Sequence, residues 1–507
     1  MSETIEEKNA AYKPDSRIST GNVGIDDILG GGLDPNKMYL FEGRPGTGKT
    51  TMGMQFLLEG VRQGDRALYV ALSESPAELQ LVAHRHGWTL DGVEILELVS
   101  EEVLDPDREL TVLHPAEMEL TETTRLILDK VEALDPARVV IDSLSELRLL
   151  AQGSLRYRRQ ILALKHFFAN RRCTVILLDD QAAKEDDLQL HSISHGVIAL
   201  EQLAVDYGAQ RRRLRILKMR GMDFRGGYHD FTIKKGGLEV YPRLIAAEHH
   251  KQFAPTPIPS GNAELDSLLG GGLDRGTNAL LIGAAGVGKS SLAATYALAA
   301  TQRGDHAAIF AFDESRSTFF ARARALGMPL DAAQEADLLR FKQIDPAEMS
   351  PGEFTALVRR AVEEDGARVV VFDSLNGYLN AMPDGRFLIL QMHELLSYLG
   401  QQGVTTVMIL AQHGLVGPME TPLDISYLSD TVIMLRYFEH DGRVRRAMSV
   451  VKKRSGPHEH AIREFSMSAN GLVVGPPLTA FHGIFTGTPQ YTGDHVRLLT
   501  SKPDASS

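Results

Sequence analysis

The stretch Gly43-Arg44-Pro45-Gly46-Thr47-Gly48-Lys49-Thr50 has the residue types and spacing to hold a triphosphate. Its glycines let backbone N–H groups close around phosphate oxygens. Lys49 reaches the outer phosphates and Thr50 offers a hydroxyl to Mg2+. The stretch Gly283-Ala284-Ala285-Gly286-Val287-Gly288-Lys289-Ser290 repeats the pattern without deviation. One such match can arise by chance; two in the same local context point to ATP and Mg2+ at both. The cradle residues are Gly43, Gly46, Thr47, Gly48, Lys49, Thr50 and Thr51 in the first copy. In the second they are Gly283, Gly286, Val287, Gly288, Lys289, Ser290 and Ser291.

A phosphate loop is usually partnered by an aspartate ending an apolar strand, which positions Mg2+ or its water. Asp142 and Asp373 stand at such places; the alternative role is to cap a following helix. Catalysis also needs a base. Asp313-Glu314 follows a buried-strand pattern, and the first copy carries Ser73-Glu74 there. At the carboxyl end of a parallel strand, Glu74, Asp313 and Glu314 would face the nucleotide and polarise a water or a hydroxyl. A helix N-cap is the other reading of these residues. Late in each copy come Lys218-Met219-Arg220 and Lys452-Lys453-Arg454. Residues i and i+2 share a strand face. Lys218 with Arg220, and Lys452 with Arg454, would reach a neighbouring subunit's γ-phosphate or form a solvated basic face. Gln181 and Gln412 would either sense the γ-phosphate or satisfy a loop. The histidines, His191 and His195 among them, show no metal-ligand spacing.

These residues must be held by a duplicated scaffold. Gly21–Thr51 and Gly261–Ser291 are recognisably the same sequence, each with a GGGL approach to its loop. Each copy then repeats a series of apolar runs: Ala67–Leu72 and Ala307–Phe312, Arg138–Asp142 and Arg368–Asp373, Thr174–Leu178 and Thr405–Leu410. Continuous Val/Ile/Leu runs separated by helical stretches predict an α/β fold whose mostly parallel sheet is flanked by helices. Thr431–Phe438, a turn at Asp441-Gly442 and Arg445–Lys452 predict an antiparallel hairpin near the end. The expected organisation is a disordered 1–15, a first domain over 16–245, a linker over 246–259, a second domain over 260–486 and a mobile tail over 487–507.

Composition fits a globular protein: of 507 residues, 43% are hydrophobic and 24% charged. The formal net charge of −12 does not favour nucleic acid as a partner. The single cysteine, Cys173, forbids an internal disulfide, and the acidic start MSETIEEKNA is unlike a signal peptide. With no apolar run long enough to span a membrane, the expectation is a cytoplasmic protein without a membrane partner.

Taken together, the paired loops, the GGGL approaches and the run Thr421–Gly471 make the chain similar to the KaiC family of circadian-clock ATPases and autokinases. The most specific stretches are Asp424–Thr431 and Ala461–Phe465. The resemblance covers about Ser16 to Gly487 and implies two tandem RecA-like domains in a double-ring homohexamer, with ATP between neighbouring subunits. It implies an N-terminal ring that hydrolyses ATP and a C-terminal ring that phosphorylates two adjacent hydroxyl residues of a neighbour. The acceptor pair falls on Ser426 and Tyr427, a tyrosine standing where the family has threonine. A third hydroxyl in the shuttle falls on Thr421. The catalytic carboxylates fall on Ser73/Glu74 and Asp313/Glu314, and the trans-acting cations on Lys218/Arg220 and Lys452/Arg454. The expectation is a serine autokinase acting chiefly on Ser426 in clock-like or stress signalling, with KaiB-like or two-component proteins as partners. A RecA/RadA-type DNA-dependent ATPase and a slow nucleotide-dependent scaffold are the competing readings.

Overall fold

The computed structural model describes residues 17–98, 115–151, 153–180, 188–204, 207–379, 385–412, 426–486 and 489–492. Thr421, Gln181, the expected disordered start and most of the expected tail lie outside the described residues. The chain divides into two units, 1–243 and 244–507.

The first unit is built on nine strands: β1 (Met38–Gly43), β2 (Ala67–Ala71), β3 (Val93–Glu97), β4 (Arg138–Asp142), β5 (Thr174–Asp180), β6 (Gly196–Leu203), β7 (Arg211–Met219), β8 (His229–Lys234) and β9 (Gly237–Tyr241). They lie in the order β3-β2-β4-β5-β1-β6-β7-β8-β9. The ladders from β3 to β6 are parallel, and those from β6 to β9 antiparallel. Central strands β1, β2 and β4 are buried along their whole length, which is why they read as unbroken apolar runs. One face packs Tyr39, Phe41, Ile176 and Leu178 against Met52 and Phe56 of the helix Lys49–Arg62. The other packs Leu40, Val139 and Val175 against Ile127 of Pro115–Leu134 and Ile161 of Ser154–Ala169.

The second unit opens with a two-stranded ribbon, β10 (Pro257–Ile258) and β11 (Leu273–Asp274). Its sheet contains β12 (Asn278–Ala284), β13 (His306–Ala311), β14 (Leu339–Gln343), β15 (Ala367–Asp373), β16 (Thr405–Gln412), β17 (Thr431–His440), β18 (Arg443–Lys453), β19 (Arg463–Ser468) and β20 (Gly471–Pro477). The order β14-β13-β15-β16-β12-β17-β18-β19-β20 repeats that of the first unit strand for strand. A last ribbon pairs β21 (Phe481–His482) with β22 (Gln490–Tyr491). The predicted hairpin is β17–β18, turned at Asp441 (φ 52°) and Gly442 (φ 66°). Two successive positive φ values match the twist of the strands they join. The hairpin is part of a longer meander that also takes in β19 and β20. Leu244 and Ala246, just before and at the start of the expected linker, are buried in the second unit's core.

Each sheet is closed by its own beginning. Asn22 caps the helix Val23–Ile28 and donates its amide to the Leu238 carbonyl on β9, 2.7 Å away. Gly24 lies so close to β9 that a Cβ would sit 2.2 Å from the Val240 carbonyl oxygen. Asn262 makes the matching bond to Leu472 on β20, at 2.8 Å. A second internal fastening is Arg138, 1% exposed at the start of β4. Its guanidinium donates to Asp65, Gln63 and the carbonyls of Ser19 and Phe56.

Candidate active sites

In both sheets the strand order places the end of the loop-bearing strand beside the end of β5 or β16, one strand away from β4 or β15. Ligands of open α/β sheets gather at such strand ends. The loop leaving β1 turns through Gly46 (φ 82°) and Gly48 (φ 102°), the latter being the N-cap of Lys49–Arg62. The loop leaving β12 turns through Gly286 (φ 76°) and Gly288 (φ 113°) into Lys289–Gln302. These left-handed positions suit glycine, and each helix start directs unpaired N–H groups at the cradle. Thr47, Val287, Thr51 and Ser291 are buried behind it.

Lys49 Nζ donates to the carbonyls of Gly43 (2.8 Å) and Arg44 (3.1 Å). It also pairs with Asp180 Oδ1 at 2.7 Å. Lys289 Nζ donates to Gly283 (2.9 Å) and Ala284 (2.7 Å). Burial pushes the Lys289 ammonium down to about 8, opposed by the Asp373 carboxylate.

Thr50 Oγ1 donates to Asp142 Oδ2 at 2.7 Å, and the Tyr69 hydroxyl donates to the same oxygen. The Ser290 hydroxyl bonds to Asp373 in the same way. Burial raises both carboxyls above the usual aspartate range. A hydroxyl against a strand-end carboxylate is a hard-oxygen set that fits Mg2+, with phosphate oxygens and water completing the shell. Thr50 with Asp142, and Ser290 with Asp373, are the residues that would hold it.

The helix caps after the second strand fall one residue beyond the acids. Ser75 caps Pro76–His86 in a capping box with Glu78, and Ser315 caps Arg316–Ala325. That leaves Glu74, Asp313 and Glu314 for other work, and their surroundings differ. Glu74 is half-buried; its Oε2 is buried without a hydrogen bond. Burial, then Asp142, Glu78 and Asp180, raise its proton affinity. Asp313 is exposed and accepts from Ser374 Oγ at 2.7 Å. Glu314, paired with Asp313 on sequence grounds, is instead gripped by Arg322, whose Nε and Nη2 donate to its two oxygens at 3.1 and 2.6 Å. Arg322 also donates to Ser291 Oγ at 2.9 Å. A bidentate guanidinium ties up the carboxylate, so Asp313 is the better placed base of the two.

Within the chain, the late basic residues hold helix-end carbonyls. Lys218 Nζ donates to the carbonyls of His191 and Ser194, and Arg220 to that of Ser192. Burial and the neighbouring Arg220 lower the proton affinity of Lys218. Lys452 donates to the Ser429 carbonyl at 2.7 Å and Arg454 to that of Tyr427 at 3.2 Å. Each pair thus bonds carbonyls of one short segment, with the side chains of Arg220 and Arg454, one residue beyond their strands, exposed. Ser426–Leu428 is a single 3-10 turn that carries the exposed Tyr427.

Asp180, Arg322 and the pair His191–Glu42 escaped the sequence reading. His191 Nε2 lies 2.7 Å from Glu42 Oε2, a carboxylate buried on β1. The one available signal was the acidic end of an apolar run at Asp179-Asp180.

The family description "ATPase: KaiC" matches residues 18–245 and 258–479. The circadian clock protein KaiC3 of Synechocystis sp. is 27% identical over 487 residues, 94% of this chain and 95% of its own length. The circadian clock oscillator protein KaiC of Picosynechococcus sp. is 27% identical across 96% of this chain and 95% of its own length. The oscillator protein KaiC of Synechococcus elongatus is 26% identical across 96% and 94%. Both phosphate loops and both strand-end aspartates fall inside the matched segments, and the chain belongs to the KaiC family of tandem-domain ATPases.

Proposed function

We propose that this KaiC-family ATPase is also a serine autokinase. In this reading the first domain, 16–245, hydrolyses ATP and the second, 260–486, transfers the γ-phosphoryl group mainly to Ser426 of a neighbouring subunit in a homohexamer. The supporting observation is the contrast between the two bases: Glu74 turns an oxygen inward, whereas Asp313 is exposed and oriented by Ser374. An inward base suits a bound water, and an outward one suits a hydroxyl arriving from another chain.

In the first copy Glu74 accepts the proton of the attacking water. In the second Asp313 accepts the proton of the Ser426 hydroxyl as its oxygen bonds the γ-phosphorus. The bond to the β–γ bridging oxygen breaks in either case and ADP leaves. Lys49 and Lys289 offset the charge on the outer phosphates. Bound Mg2+ supplies charge neutralisation and orientation of the phosphates. Arg220 and Arg454, exposed on each unit, contribute across the subunit boundary. Tyr427 and Thr421 are the further acceptors in this scheme. The relatives' names support a clock-like setting; stress signalling and KaiB-like or two-component partners are part of the proposal.

Phosphosite mass spectrometry after incubation with ATP and Mg2+, beside phosphate release, tests this. Phosphate is expected on Ser426, absent in Ser426→Ala and in Lys289→Ala, the latter still releasing phosphate. Steady hydrolysis without any modified residue would leave an ATPase only.

A further inference from the structure

Lys49 and Lys289 hold the same place in the two loops but have different neighbours. Each folds back onto two carbonyls of its own loop. The strand position in register with Gly43 is Asp180, whereas the position in register with Gly283 is Ala411. A carboxylate at the first position lies 2.7 Å from Lys49 Nζ; a methyl group at the second cannot form an ion pair. The difference therefore sits on the neighbouring strand, outside the phosphate-loop motif that both copies keep intact. Asp180 also acts on Glu74 and Asp142, whose proton affinities it raises. Of these carboxylates, Asp180 and Asp142 act on the Lys49 ammonium.

A cradle that receives an anion works against any anion already on its lysine. We infer that Asp180 is an affinity-tuning residue of the first site, which occupies the Lys49 ammonium before nucleotide arrives and weakens that site's hold on a triphosphate. The inference rests on the reading of both loops as triphosphate sites and deepens it. Binding is an exchange of ion pairs, with no covalent bond or proton moved: the contact from Lys49 to carboxylate opens and that to phosphate forms. The side chain of Asp180 is 39% exposed and that of Lys49 7%. The carboxylate can therefore turn to water when displaced, which makes it a competitor and not a permanent block. Pairs with one exposed partner are weak, so the competition is expected to change affinity by about 3- to 10-fold.

The test is calorimetric titration of the full chain with a nonhydrolysable ATP analogue, carrying Lys289→Ala so that the first site reports. Asp180→Ala and Asp180→Asn should each tighten binding by about 3- to 10-fold. If Asp180 merely held Lys49 in place, the Ala variant would weaken binding instead. The reciprocal variant, Ala411→Asp in a chain carrying Lys49→Ala, should loosen the second site by a similar factor. Unchanged or weaker binding in both Asp180 variants, or an unaltered second site in Ala411→Asp, overturns the inference. A Lys289→Ala chain that binds no analogue with or without Asp180 removes the first loop as a nucleotide site, a distinct failure that takes the inference with it.

Discussion

Glu74 combines a buried, unpartnered oxygen with a proton affinity raised by burial and by three neighbouring carboxylates. Only the ionised form can accept a proton, so first-site hydrolysis should fall as pH drops through its pKa. Because that pKa is raised, the acid limb should lie above the range of an ordinary glutamate. Phosphate release by a Lys289→Ala chain across pH reads this limb directly. Replacing Glu74 by Gln keeps the shape and removes the base; a loss of about 100-fold or more, together with loss of the acid limb, is expected. A limb that persisted in Glu74→Gln would assign it to another group.

At the scale of elements, Arg138 fastens β4, the helix Lys49–Arg62 and the segment around Ser19 through one guanidinium. Arg138→Ala would leave two buried carbonyls and Asp65 without that partner and open space beside Gly60 and Phe56. A destabilisation of roughly 3–5 kcal/mol is expected. Differential scanning calorimetry should show the first unit's transition falling while the second unit's stays in place; a common shift of both would show that they unfold together. The sheet strands were legible because burial on both faces requires unbroken apolar runs, as in β4. The phosphate loops were legible because glycine is needed where φ is positive. What could not be read was adjacency. Asp180 matters because β5 lies beside β1, and Arg322 matters because two helical turns carry it back over Glu314. Sequence spacing does not disclose either. His191 looked unremarkable for the same reason, its partner Glu42 being on a strand far away in the chain.

At the scale of the whole molecule, one topology is used twice with different chemistry at equivalent places. Asp180 answers to Ala411, and the single carboxylate of Ser73-Glu74 answers to Asp313-Glu314. Such divergence suits two sites with separate tasks. If Arg220 and Arg454 serve a neighbour's phosphates, the ATP-bound chain should scatter light as a hexamer at micromolar concentration, and a monomer would end their trans role. No helix among the described residues is long and apolar enough to cross a membrane. The clasp of Asn22 and Gly24 on β9, and of Asn262 on β20, also sets an order of events during synthesis. The helix Val23–Ile28 emerges from the ribosome early, yet the part of its seat that β9 supplies is missing until residues 237–241 are made. At about 5–20 residues added per second, that wait is on the order of ten seconds or longer. The first sheet is completed by β9, so a chain halted between the two sheets would carry that whole sheet together with the opening helix that docks on its last strand.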